Sequence, residues 1–242
     1  MCYSVDYLTK RSIDYAKRRG YDEATVKELE KEFDSVRKAI PPHIKAMGFS
    51  HPELPAFSNE APFHVTLLSW GLVPFWVKNE DEAQKIRNKT LNARGETLFD
   101  KPAFREAAKK RRCLIMVDAF YEYYHKGSKA YPFRIKMKSD EPMVFGGIWE
   151  HCVLPEGKEY RTLSIVTTAA NELLAKIHNK PRGSKDPRMP LILPKELEDQ
   201  WLIPVEDKVD REQIESLIQP YDAEELEAEP LFNPDKQIEI AW

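Results

Sequence analysis

Apolar residues recur at Val26, Leu29, Phe33, Val36 and Ile40, in steps of three and four with charges between them. That period predicts an amphipathic helix over residues 21–40, ended by Pro41-Pro42. Residues 3–20 are short and mixed, and the Pro-rich 41–63 stretch reads as loop. Strand-like runs follow at His64–Trp70, Cys113–Val117, Tyr131–Lys136, Met143–Trp149, Arg161–Thr168 and Leu191–Leu193. Lys126-Gly127-Ser128 reads as a hairpin turn and Leu154-Pro155-Glu156-Gly157 as a second turn. Helices are expected over 78–90, 102–110, from about Asn171 to His178, and around Leu197–Leu202 and Gln213–Ile218, before an acidic tail.

A chain of 242 residues with 42% apolar content can bury a normal core. No apolar run is long enough for a signal peptide or a membrane span, so a cytoplasmic protein is expected. Three cysteines (Cys2, Cys113 and Cys152) form neither a disulfide framework nor a metal-ligand spacing, and no cofactor is expected. The net charge of −3 hides a segregation. Residues 84–112 hold ten Lys/Arg against three Asp/Glu, and residues 195–242 hold fifteen acids against four bases. The basic stretch is either a solvated face or a surface for a polyanion.

Candidate chemistry starts at Met1-Cys2. If Met1 is trimmed, Cys2 carries a thiol (pKa near ~8.5) beside an α-amine (pKa near ~8). The amine condenses with an aldehyde, and the thiol then closes a five-membered ring on the same carbon. Asn92, Arg94 and Glu96 alternate and would share one face of an extended segment. Glu122 lies among Phe120, Tyr121, Tyr123 and Tyr124 and is either a desolvated proton shuttle or a group on the wet face of a strand. His178 ends a helix beside a basic loop (Lys180, Arg182, Lys185) and is either a proton-transfer group or a structural histidine. Trp70, Phe75 and Trp76 are either core or a surface on which bases stack. No HExxH, GxSxG, CxxC or phosphate-binding Gly loop occurs.

Met1-Cys2, Trp70-Gly71-Leu72-Val73-Pro74-Phe75-Trp76, Asn92-Ala93-Arg94-Gly95-Glu96-Thr97, Phe120-Tyr121-Glu122-Tyr123 and His178…Arg188-Met189-Pro190 follow one another along residues 2–202. Together they resemble the SOS response-associated peptidase (SRAP) family. The resemblance implies a single α+β domain over residues 1–242, with a β-rich, barrel-like core and flanking helices. The 21–40 helix is then an insertion and 203–242 an acidic C-terminal region. It implies a monomeric DNA-repair protein, nucleoid-associated when bound, that takes single-stranded DNA with abasic sites as partner. Cys2 would form a covalent thiazolidine link to the ring-opened sugar, with Asn92, Glu122 and His178 as further catalytic residues. Arg94 and Arg188 would grip phosphates, Trp70 and Trp76 would add to the DNA surface by stacking, and Lys180 and Arg182, in a loop longer than the family pattern, would extend it. The family name also records a proposed autopeptidase (hydrolase) role, and a lyase-type activity is a further implication.

The chain departs from the family pattern in three places. Tyr3-Ser4 stands where many members have Gly-Arg, and Tyr123 where Trp is common. Nine residues separate His178 from Arg188, where members usually have one. The rival readings are a cysteine-type peptidase and a non-catalytic single-strand binder.

Overall fold

The computed structural model describes residues 2–7, 22–39, 45–179 and 186–232. Five strands close into a ring. They are β3 (Glu53–Ser58), β4 (Ala61–Trp70), β6 (Arg112–Lys126), β8 (Met143–Val153) and β9 (Glu159–Ala169). The neighbours run β9–β4–β3–β6–β8 and back to β9, with β4 and β9 parallel and the other pairs antiparallel. Closure removes the sheet edges that would otherwise invite pairing with other chains.

Along the first half of β6, side chains divide between two cores with the strand period of two. Cys113, Ile115 and Val117 join one cluster with Phe120, Phe145 and Ile165. Leu114 and Met116 join the other, under the helices, with Leu29, Ala107, Ala108 and Trp201. Cys113 is thus a core residue, and Gly147 leaves room for its Sγ, since a Cβ there would sit 2.9 Å from it.

The 15-residue β6 is the spine. Its first half pairs with β3 and β8. Its second half pairs with β1 (Ser4–Tyr7) and β7 (Lys129–Met137). The β6–β7 hairpin turns at Gly127, whose φ of 61° suits glycine, and this fixes the register Lys126↔Lys129 through Phe120↔Ile135. Two short strands extend the barrel at the end of β9. β5 (Asn92–Arg94) runs parallel to it, and β10 (Arg188–Pro190) antiparallel.

The predicted helices form, with shifted ends. α1 covers Glu23–Ala39, with Leu29 buried and Val26 half-buried; Ile40 lies outside the described residues. α2 (Glu80–Arg87) is capped by Asn79, and α3 covers Arg105–Lys110. α4 (Glu172–Ile177) starts at an Asn171 cap that accepts from Leu174 N at 2.9 Å. α5 is Glu198–Leu202. α6 is Lys208–Ser216, earlier than the apolar residues alone predict, because Asp207 and Asp210 form a capping box.

The 41–63 region is a correction. Within its described part, β2 (Lys45–Met47) and β3 are strands, and β3 closes the barrel. Proline misleads there: Pro55 sits opposite Leu67 of β4, while pairing with β6 begins only at Ala56. The acidic C-terminal region likewise holds a strand, β11 (Leu226–Pro230), laid against β7. Among the described residues, no helix is long and apolar enough to cross a membrane.

Candidate active site

β1 brings Cys2 to the site. Val5 and Asp6 pair with Phe120 and Ala119 of β6, two strand positions before Glu122. Asp6 is buried, accepts from Tyr121 Oη at 2.7 Å and from Arg134 Nε at 2.8 Å, and so pins the strand. Burial and the Asp6 bond push the Tyr121 hydroxyl up to about 12, so it stays a donor. The sequence reading missed this anchor, although a signal existed: the Gly127 hairpin sets Tyr121 opposite Arg134.

Cys2 itself is fully buried. Asn92 Nδ2 donates to its carbonyl oxygen at 2.8 Å, and its thiol lies 3.7 Å from Ser4 O. Burial first, and then the negative charge of Glu122, push the thiol up to about 12. Asn92 Oδ1 is buried without a hydrogen-bond partner in the structure. It is an acceptor held beside Cys2, able to accept a hydrogen bond from an amine or a hydroxyl.

Glu122 is 6% exposed, so it is buried and not on the wet face of the strand. Its Oε1 accepts from Tyr123 N at 3.1 Å. Its Oε2 lies 3.7 Å from His178 Nδ1. That exceeds a hydrogen bond, and the contact is electrostatic.

His178 is the residue at the C-terminal end of α4, whose Leu174 and Ile177 lie in the core with Cys2. Its Nδ1 lies 3.1 Å from Arg188 O and 3.2 Å from Arg188 N. The first contact needs a protonated Nδ1 and the second a bare one, so the backbone serves either tautomer. Burial lowers the imidazole's pKa below its ordinary value, against the opposing pull of Glu122.

The long spacing between His178 and Arg188 does not part them. Asn179 bonds His125 through both its amide atoms at 2.8 Å, and Ala170 N donates to Pro187 O at 3.1 Å. The loop is therefore pinched at its base. Lys180 and Arg182 lie outside the described residues.

Arg188 and Trp70 need correction. The Arg188 guanidinium is 6% exposed and makes a bidentate pair with Glu96 (2.9 and 2.7 Å) plus bonds to Thr167 O and Oγ1 (2.7 and 3.2 Å). It is committed inside the protein, so a phosphate would have to displace Glu96. Burial opposes the charge on Glu96, but the Arg188 bonds outweigh it and hold the carboxyl below the usual range. Trp70 is fully buried, with Nε1 donating to Leu91 O at 2.7 Å, and cannot stack on a base. Trp76 (43% exposed) and Phe75 (53%) do face solvent. Arg94 is half-buried beside the fully buried Ala93, and its charge acts on Glu96. The expected shared face ends there, because Gly95–Thr97 is a 3-10 turn. The basic 84–112 stretch also thins. Arg87 and Arg112 are buried, the latter bonded to Trp201 O and Ala108 O, while Lys85, Lys89, Lys101, Arg105 and Lys110 are exposed.

The model of the SOS response associated peptidase family matches residues 1–233. The chain belongs to the SRAP family. Among curated SRAP relatives, it is 43% identical over 162 residues to abasic site processing protein YoqW of Bacillus subtilis (strain 168). That alignment covers 66% of this chain and 66% of YoqW, just under two thirds of the relative's length. Abasic site processing protein HMCES of Gallus gallus is 31% identical over 56% of this chain and 44% of its own. A crystal structure of a protein from Bacteroides thetaiotaomicron superposes with a TM-score of 0.80 at 32% identity, covering 96% of this chain and 93% of that one. The SRAP fold, mixed α+β around a closed five-strand barrel, is therefore the fold of this chain.

Proposed function

We propose that this protein binds single-stranded DNA at abasic sites and, once Met1 is removed, links Cys2 covalently to the lesion. The observation that carries the reading is the convergence on Cys2. Asn92 holds its carbonyl, the charge of Glu122 reaches its thiol, and His178 stands 3.7 Å from Glu122. The names of the relatives, abasic site processing proteins, support the same substrate.

The ring-opened abasic sugar presents an aldehyde. The free α-amine of Cys2 adds to its carbon, and loss of water gives an imine. The thiol then adds across the C=N bond: sulfur takes the carbon, nitrogen takes the proton, and a thiazolidine closes. Expelling water needs an acid, and deprotonating the amine needs a base. Glu122 and His178 fill these roles, and Asn92 fixes the Cys2 backbone so that amine and thiol reach one carbon. Arg94, Trp76 and the exposed lysines hold the strand. In cis, the same groups would release residues preceding Cys2, which is the autopeptidase activity the family name suggests.

The experiment incubates Met1-free protein with a single-stranded oligonucleotide containing one abasic site. A heat-stable shifted band is expected, and Cys2→Ala abolishes it. Full crosslinking by that variant overturns the proposal. Cleavage of a peptide without DNA, dependent on Cys2 and His178, would favour the peptidase reading instead.

A further inference from the structure

The exposed aromatic next to the nucleophile is not used by the chemistry above. Met47 (44% exposed) ends β2, and Phe49 (54%) stands on the turn that follows. Phe49 stacks on Tyr3, with ring centroids 5.1 Å apart and planes at 27°. The pair is held from below. Gly48 N donates to Tyr3 O at 2.8 Å, and a Cβ at Gly48 would sit 3.3 Å from the buried Trp70 ring. Trp70 thus supports this turn from the core side.

We propose that Tyr3 and Phe49 form a stacking platform for the nucleobase next to the abasic sugar, an inference that rests on the DNA reading above. Tyr3 follows Cys2 directly, with Cα atoms about 3.8 Å apart. A sugar bound at Cys2 therefore leaves its neighbouring nucleotide within reach of the outer face of Phe49. An exposed aromatic face is poorly hydrated, and every base offers it a π-face whatever the sequence. The two residues after Cys2 are Tyr3-Ser4 and carry no cation, so affinity at this point comes from stacking rather than from pairing with a phosphate.

A double-mutant cycle tests this on single strands carrying tetrahydrofuran, an abasic analogue without an aldehyde. One oligonucleotide has a base on each side of the analogue, and two others lack the base on one side or the other. Fluorescence anisotropy gives the Kd. The wild-type protein is expected to bind one of the base-less strands about tenfold more weakly. Phe49→Ala should lose a similar factor on the full strand and then show no further loss when the base is removed. Phe49→Leu, which keeps apolar bulk, should behave like Phe49→Ala, and Phe49→Trp should restore binding. The salt slope of binding should be the same in all variants, because no phosphate contact is lost. Additive effects of variant and base removal, or wild-type binding by Phe49→Leu, overturn the platform. Crosslinking of natural abasic DNA, run in parallel, separates the claims. Crosslinking with additive effects sinks the platform alone. Coupling without crosslinking sinks the thiazolidine chemistry and leaves the platform. No binding to any strand sinks both.

Discussion

Glu122 Oε2 and His178 Nδ1 face each other across 3.7 Å, with side chains 8% and 7% exposed. The charge of Glu122 also raises the thiol of Cys2. Glu122→Gln therefore has two effects of opposite sign. The thiol becomes easier to ionise, so alkylation of Cys2 by iodoacetamide speeds up. Crosslinking slows by roughly 10²-fold or more, because a proton-transfer group is lost. Both are read on one preparation, by intact mass and by denaturing gel. Faster crosslinking would show that thiol acidity, not proton transfer, limits the reaction.

The depressed pKa of His178 gives a pH dependence. The unfolded chain takes up this proton near pH 6.5, the folded chain only at lower pH. Between those values the unfolded state binds more protons, so the stability present above pH 6.5 is lost as pH falls. In His178→Asn, the acid-side decline in chemical denaturation midpoint should be shallower than in wild type. An unchanged decline would assign it to other groups.

Asn92→Ala removes the bond to the Cys2 carbonyl. A single hydrogen bond contributes about 1 kcal/mol, so the unfolding free energy should fall by about that much. Crosslinking should fall more than tenfold, because the bond sets where the amine and thiol point. A rate loss no larger than the stability loss would reduce Asn92 to a structural role.

Arg188→Ala leaves Glu96 without its bidentate partner and removes the Nη2 bond to Thr167 O. Glu96 is half exposed, so screening limits the cost to about 1–3 kcal/mol, seen as a lower Tm. Arg188→Lys should recover part of this, since it keeps the charge and loses the fork. Glu96→Gln should raise affinity for single-stranded DNA if a phosphate competes for the guanidinium, and unchanged affinity would confine Arg188 to structure.

Trp70→Phe and Trp76→Ala separate support from contact. The first loses the Nε1 bond to Leu91 O, so it should destabilise by about 1–3 kcal/mol and leave DNA affinity near wild type. The second should weaken single-strand binding about tenfold with little change in Tm. Calorimetry and anisotropy check both.

Most of the barrel was legible, because Cys113–Val117 reads as a buried strand and Arg161–Thr168 as a strand. β3 was hidden because Pro55, within the β4 register and just before the β6 register begins, looks like loop until its partner strands are known. Spacing placed Asn92, Glu122 and His178 near Cys2 only through family resemblance. Their convergence depends on β1 pairing with β6, and nothing local encodes that contact. Arg188 and Trp70 misled for a shared reason. A guanidinium and an indole look the same in sequence whether they meet DNA or a carboxylate and a carbonyl of the same chain, and only tertiary packing decides.

The pairing of β1 with β6 also sets an order in time. Asp6 and Tyr121 lie 115 residues apart. At about 5–20 residues per second, a ribosome takes roughly ten seconds to make the strand that buries the second residue. Through that interval β1 can have β2 as a partner strand but not β6. Once β6 is made, the fold covers Cys2 completely. On the proposed reading, removal of Met1 therefore has its best opportunity before β6 is made, because in the finished fold Cys2 is fully buried.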